Sequence, residues 1–290
     1  MKNPIVRLCA TLFLLFLAHE CAYSGAWTHK RGHFYTKLGL LLFDSSSQYT
    51  LDGDREPLAN NGRVTDLGIY YYLEYGIYDD LTIVTSVPFK RINFSCAIED
   101  CGGTSSGVGD LYFGLRYRLS QAEWIVSLQS GLKLAPGYET DEEALDSAPP
   151  LGDGQTDVEF RLLFGRSILN YNGYVNIDVG YRAREGEPVD EVPFSLELGY
   201  NLTKDYLLIG QLQGVRSISE KASQTDFRIV DGMLVDFVGT GAVEDFAKAR
   251  LQLIYRVSPM LDLSFEFEQV LLGRNTSHAT IVGGGIAVRK

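Results

Sequence analysis

The feature that most constrains this chain is a period of two. Within 107–119, Leu111, Phe113, Leu115, Tyr117 and Leu119 share one parity, while Asp110, Tyr112, Gly114, Arg116 and Arg118 share the other. Successive side chains of a β-strand point to opposite faces, so this segment reads as a strand with one apolar and one charged face. The pattern recurs near 33–43, 63–75, 80–91, 108–119, 124–135, 156–166, 173–183, 193–203, 206–217, 246–257, 260–271 and 279–289. Each segment is about as long as a tilted strand that crosses a bilayer. Repeated around a closed sheet, an unbroken apolar face beside a charged one predicts an all-β fold: a transmembrane antiparallel β-barrel of about 12 strands.

The gaps between segments alternate in length. Gly76–Asp79, Ser120–Glu123, Ser167–Asn172, Lys204–Asp205 and Ser258–Pro259 are short, whereas 44–62, 92–107, 136–155, 184–192, 218–245 and 272–278 are longer. Short periplasmic turns and long extracellular loops give this alternation, with both ends of the barrel on the periplasmic side. Residues 227–238, with Phe227, Ile229 and Val235, carry the pattern of a further hairpin inside the longest loop. The third loop holds Glu139, Asp141, Glu142, Glu143, Asp146 and Asp153 with no Lys or Arg. It reads as a solvated acidic loop, with divalent cations that bridge lipopolysaccharide as the alternative.

The first residues set the compartment. Lys2 and Arg7 precede the apolar run Leu8–Ala18, and Ala22, Ser24, Gly25 and Ala26 follow it. This predicts a secretory signal peptide over residues 1–26, cleaved after Ser24 or Ala26, with the barrel over 27–290. The run is shorter than the roughly 20 residues a membrane-spanning helix needs. Glu20 stands where a lipoprotein site before Cys21 requires a small residue. Cys96 and Cys101 remain beyond the signal, and in an oxidising compartment they pair as a disulfide. Zinc would need two more ligands that no neighbouring His or Cys supplies.

Parity assigns the two faces. The outward set includes Leu67, Ile69, Tyr71, Leu128, Leu132, Ile177, Leu251, Leu253, Phe265 and Phe267. Tyr75, Tyr117, Trp124, Tyr200 and Tyr255 are outward and adjoin short turns, the place of an aromatic girdle at the headgroups. Asp66, Glu74, Lys90, Asp110, Arg116, Arg118, Lys133, Glu159, Arg161, Asp178, Arg182, Glu197, Lys248, Arg250, Glu266 and Glu268 fall inward as candidate lumen-lining residues. Both signs are nearly balanced there, which points to ion pairs bracing the wall more than to strong ion selectivity. Twelve strands about 4.8 Å apart and tilted roughly 40° enclose a backbone diameter of about 24 Å. That size leaves open whether the lumen conducts.

Several motifs carry a resemblance. Gly25-Ala26-Trp27-Thr28, Leu51-Asp52-Gly53-Asp54-Arg55-Glu56-Pro57-Leu58, and Tyr71-Tyr72-Leu73-Glu74-Tyr75-Gly76 followed by Val87-Pro88-Phe89-Lys90 resemble the XagA-like outer-membrane proteins of Gram-negative bacteria. The strand start Gly107-Val108-Gly109-Asp110-Leu111 is similar to that of the barrels linked to meta-pathway phenol degradation. The resemblance covers most of the chain beyond the signal and implies an outer-membrane transport barrel, with no catalytic residues to carry over. Many bacterial barrels end in an aromatic residue read by the barrel assembly machinery, whereas this chain ends Val288-Arg289-Lys290.

Catalytic and nucleotide-binding motifs are missing from the sequence. His29 and His33 are four apart beside the start of the first strand, and His278 adjoins Ser277 in a loop. Neither pair is read as a metal site or a triad. The 37 acidic against 26 basic residues give a formal charge of −11, unfavourable for nucleic acid. No cofactor is implied. Two readings stand: a passive channel or transporter for small solutes, and a non-conducting structural or surface-interaction barrel. Outer-membrane lipid, lipopolysaccharide and the assembly machinery are the expected partners.

Overall fold

The computed structural model describes residues 25–97, 101–138, 140, 148–168, 172–185, 189–218, 227–230, 233–236 and 243–290. In chain order the strands are β1 (Phe34–Ser45), β2 (Ser47–Tyr49), β3 (Arg55–Pro57), β4 (Arg63–Tyr78), β5 (Leu81–Ser95), β6 (Gly102–Val108), β7 (Leu111–Gln121), β8 (Ile125–Leu134) and β9 (Asp157–Ile168). They continue with β10 (Gly173–Arg184), β11 (Glu191–Asn201), β12 (Tyr206–Ser217), β13 (Phe227–Val230), β14 (Met233–Asp236), β15 (Asp245–Ser258), β16 (Leu261–Arg274), β17 (Thr276–Ser277) and β18 (Thr280–Arg289).

Thirteen strands form one antiparallel sheet, and the pairing of β1 with both β4 and β18, together with that of β4 with β5, closes it. β6 and β7 are two halves of one wall strand, so the barrel has twelve. The interruption at Gly109–Asp110 faces Pro88. Below it β5 pairs with β7 as far as Ser86↔Tyr112, above it with β6 from Phe89↔Val108, and the Gly109 amide donates to the Pro88 carbonyl. Proline has no N–H to give the ladder, so the break falls where a strand can tolerate one.

The predicted strand positions hold, with one extension. Residues 92–107, read as a loop, are mostly β-structure: β5 runs to Ser95, β6 occupies Gly102–Val108, and the Cys96–Cys101 disulfide links the tip. Arg91, Asn93, Thr104 and Ser106 put polar groups on the outward face of this hairpin. It stands above the lipid belt, and the apolar alternation fades there although the ladder continues. The expected extra hairpin is β13–β14, paired Phe227↔Asp236 to Val230↔Met233. The first long loop contributes β2 and β3, which join β17 in a small separate sheet.

Burial is inverted relative to a soluble protein. Leu38, Leu40, Leu42, Ile69, Phe113, Leu115, Leu251, Phe265 and Phe267 are exposed on the outer face, whereas Glu74, Asp157, Glu159, Arg116 and Glu268 are buried inside. Only a hydrocarbon surround makes the outer surface favourable, since monomeric soluble proteins rarely expose apolar patches beyond a few hundred Å². Every backbone group in that belt must then be paired within the protein, which a closed sheet achieves. Tyr75, Tyr117, Tyr200 and Tyr255 are exposed at the short-turn end, joined by Tyr206 stacked on Tyr255 at 4.9 Å. Trp124 lies there too, with the Arg166 guanidinium 5.7 Å from its ring.

Inside, tyrosine rings lie against glycines. A Cβ at Gly131 would collide with the Tyr112 ring, and one at Gly199 with the Tyr174 ring. The glycines of the inner face therefore make room for flat aromatic side chains. Overpacking typically costs about 1–3 kcal/mol. Gly199→Val should destabilise the barrel by about that much, whereas Gly210→Ala, where nothing lies within 4 Å, should be neutral. The temperature at which each purified variant loses its compact form on electrophoresis in detergent measures the difference.

Candidate functional site

Among the described residues polar side chains are concentrated in the lumen, and its walls follow from strand parity. Each wall strand sends alternate residues inward, and antiparallel register sets acids opposite bases: Glu159 faces Arg182, Asp157 faces both Lys133 and Arg184, and Arg250 faces Glu268. Arg161 bridges Glu159 and Asp178 at 2.6 and 2.7 Å, while Arg182 joins Glu159 to Glu191 at 2.7 and 2.8 Å. Across the barrel Lys248 and Arg250 hold Glu268 at 2.8 Å each, and Lys37 holds Glu266 at 3.0 Å. Asp66 has Lys90 at 3.5 Å.

These contacts bring together nearly all the inward residues expected from the sequence. Arg118 is the outlying member. It opposes Ser127 in register beside a short turn, so it sits at the periplasmic rim. Glu197 is also distinct, because among the described residues its hydrogen-bond donors are neutral: the Tyr174 hydroxyl at 2.8 Å and the Asn176 amide at 3.2 Å, both on Oε1.

The principal feature missed by sequence reasoning is a plug. Residues 25–32 are not a lead-in to β1; they fold into the periplasmic end of the lumen. Ala26 is fully buried against Ile125 and Leu163, and its carbonyl accepts the Ser127 hydroxyl. Trp27 packs edge-on to Tyr174, with centroids 6.0 Å apart, against the cluster of Tyr174, Leu207 and Ile209. Its carbonyl accepts Arg116 Nη1 at 3.0 Å. The His29 amide donates to Thr82 Oγ1 at 2.8 Å, and its ring contacts Glu74 at 2.9 Å. The Thr28 hydroxyl and the Arg31 amide both bond Asp79 in the first short turn. A Cβ at Gly76 would strike the His29 and Lys30 carbonyls, so a glycine there lets the segment lie close on β4. The plug touches strands β4, β5, β7, β8, β9, β10 and β12, more than half the circumference at that level.

Its anchor is the Glu74–Arg116 pair. Arg116 Nη2 lies 3.0 Å from Glu74 Oε1, the side chains are 3% and 1% exposed, and Tyr72 and Gln129 satisfy further lone pairs and donors. Removing one partner of such a buried pair leaves an uncompensated charge. The histidine pair is divided: His29 faces Glu74, whereas the His33 backbone closes a turn with Lys30 and Gly76. Among the described residues no group of three or more potential metal ligands is present.

At the opposite end, residues 148–155 lie across the inner face. Lys90 donates to the Leu151 carbonyl, and Asp153 reaches Lys133 at 2.6 Å and Arg184 at 2.7 Å. Asp153 was expected in a solvated acidic loop. It is instead drawn inward, where it joins Lys133 and Arg184 in a cluster that also holds Asp157, Asp110 and Glu191. Glu139, Asp141, Glu142, Glu143 and Asp146 fall outside the described residues. Burial alone would raise the Asp153 carboxyl, but Lys133 and Arg184 outweigh it and hold it below the usual 3.8. A carboxyl depressed by folding keeps its contribution above its ordinary range and loses it as pH falls through the lowered value.

No model of a known protein family matches the chain, and no curated protein matches it. Among solved structures it is similar to the COG4313 outer membrane channel from Pseudomonas putida F1, with a TM-score of 0.69 and 16% identity over 93% of this chain and 100% of that one. It is also similar to the translocator domain of the autotransporter NalP from Neisseria meningitidis, with a TM-score of 0.50 and 11% identity over 99% and 95%. At these identities the likeness is one of fold, that of closed bacterial outer-membrane barrels.

Two outcomes follow. Arg116→Met should lower stability by about 3–5 kcal/mol and speed tryptic cleavage at Lys30 and Arg31, read by mass spectrometry of the digest. Hydrogen exchange of 148–155 should be equally protected at neutral and mildly acidic pH and rise only below 3.8.

Proposed function

We propose that this chain is an outer-membrane channel for small hydrophilic solutes, closed on its periplasmic side by its own N-terminal segment. The observation that carries the reading is that the plug sits in the lumen without belonging to the wall. The barrel closes through β1 and β18 from Phe34 onward, and residues 25–32 add no strand to it. A segment held by side chains and scattered carbonyls can leave while the ladder stays whole. The charge-paired inner face suits solvated solutes and gives little preference for either ion sign.

The XagA-like motifs support placing the chain among transport barrels of that kind. Lipopolysaccharide at the extracellular belt and the barrel assembly machinery during insertion are the partners this reading requires. The run of residues 148–155 across the other end of the lumen favours a second reading, a barrel that does not conduct and serves as a surface scaffold.

Planar-bilayer recording separates them. The full-length protein should give brief, infrequent openings with a reversal potential near zero in a salt gradient. Deletion of residues 25–31 should raise the open fraction at least about tenfold, the change expected when about 1.4 kcal/mol of closed-state stabilisation is lost. Silence from both proteins, each shown to be folded, overturns the channel and leaves the scaffold.

A further inference from the structure

The plug begins at a residue whose neighbours are matched to a newly made chain end. Small residues at Ala22 and Ser24 make the Ser24–Gly25 bond a signal-peptidase site, and Ser24 and Ala26 make the Ala26–Trp27 bond a second one. The fold distinguishes them. Ala26 has no exposed surface, fills the space between Ile125 and Leu163, and gives its carbonyl to Ser127, whose hydroxyl is itself fully buried. A cut after Ala26 would empty that space and strand the Ser127 hydroxyl. A cut after Ser24 keeps both.

Gly25 suits the position that the cut after Ser24 gives it. A Cβ there would overlap the Asn176 carboxamide, so only a residue without one fits against that side chain. The same carboxamide donates through Nδ2 to Glu197 Oε1 at 3.2 Å. One side chain thus spans from the Gly25 backbone to the Glu197 carboxylate. Among the described residues Glu197 has no Lys, Arg or His within ion-pair distance, and the two hydrogen bonds it accepts both fall on Oε1. The charged groups around it are Asp178, already held by Arg161 and Ser195, and Arg250, already held by Glu268. The site is an acid in a polar wall whose other acids are paired with bases.

We infer that signal peptidase cuts between Ser24 and Gly25 and that the α-ammonium group so created is the counter-ion of Glu197, locking the plug into the lumen. Water adds across the Ser24–Gly25 peptide bond, leaving a carboxylate on the departing signal and an ammonium on Gly25. The cation exists only after processing, so seating of the plug is coupled to maturation. The inference goes beyond the channel reading, and its tests do not use conductance, so the two can fail separately.

Intact mass and N-terminal sequencing of protein extracted from outer membranes should give Gly25 as the first residue; Trp27 as the first residue overturns the inference. The α-amine should react with an acylating reagent about tenfold more slowly at neutral pH in the wild type than in Glu197→Gln, the change expected when an anion partner shifts an amine by about one pH unit. Equal rates overturn the pairing. Should the variant fail to fold, the wild type alone decides. Half-maximal labelling about one unit above the ordinary α-amino range of about 7.7–8.0 supports the pairing, and a half-point within that range overturns it.

Discussion

Everything in this molecule depends on placing apolar side chains outward and pairing every charge that this arrangement forces inward. Hydrocarbon outside leaves no water for unpaired backbone groups, so the sheet must close. Closure sends half of each strand's residues into a space about 24 Å across at the backbone. The interior of this barrel is accordingly an electrostatic core. Arg161, Arg182 and Arg184 on one side and Lys37, Lys248 and Arg250 on the other each touch at least one acid. Exposed ion pairs contribute little, typically up to about 1 kcal/mol. The consequence of the pairing here is mainly negative: among the described residues Glu197 is the one inward charge of the central wall without an oppositely charged partner.

The wall was legible in the sequence because period two is a global signal. A residue such as Phe113 or Arg116 announces its face through its neighbours, and the alternation of short and long gaps gives the orientation. The plug was not legible for a corresponding reason. Residues 25–32 have no period, and two of their strongest attachments are the carbonyls of Ala26 and Trp27, which every residue possesses. The available hint was Trp27 itself, a large apolar side chain isolated among polar residues. The inward pull on Asp153 was hidden differently. Its partners Lys133 and Arg184 lie on separate strands, and only the barrel register sets them under the same loop.

The plug and the wall are held by different physics, which gives the plug its functional meaning. Wall strands exchange hydrogen bonds along their whole length, so loss of one contact costs a small fraction of the total. The plug has a handful of anchors: Arg116 to Trp27, Ser127 to Ala26, Thr82 and Glu74 to His29, Asp79 to Thr28 and Arg31, and the Gly76 carbonyl to the Gly32 amide. Net hydrogen-bond contributions of about 0.5–1.5 kcal/mol each put the whole set within a few kcal/mol. An equilibrium of that size is one a ligand, a voltage or a change at the chain end can shift.

The wall is also prepared for the plug's departure. Arg116 keeps Glu74 and Gln129 when Trp27 leaves, and Glu74 keeps Arg116 and Tyr72 when His29 leaves. Among the described residues Arg116 and Glu74 keep each other when residues 25–32 leave, and on the reading above Glu197 is the buried wall charge that loses its counter-ion. The tie that is not duplicated runs the other way, from the chain end to Glu197, where Tyr174 and Asn176 supply dipoles but no charge. On this reading the wall pairs its other charges itself, and the chain-end charge adds to the plug's distributed hydrogen bonds the one tie for which the wall has no substitute.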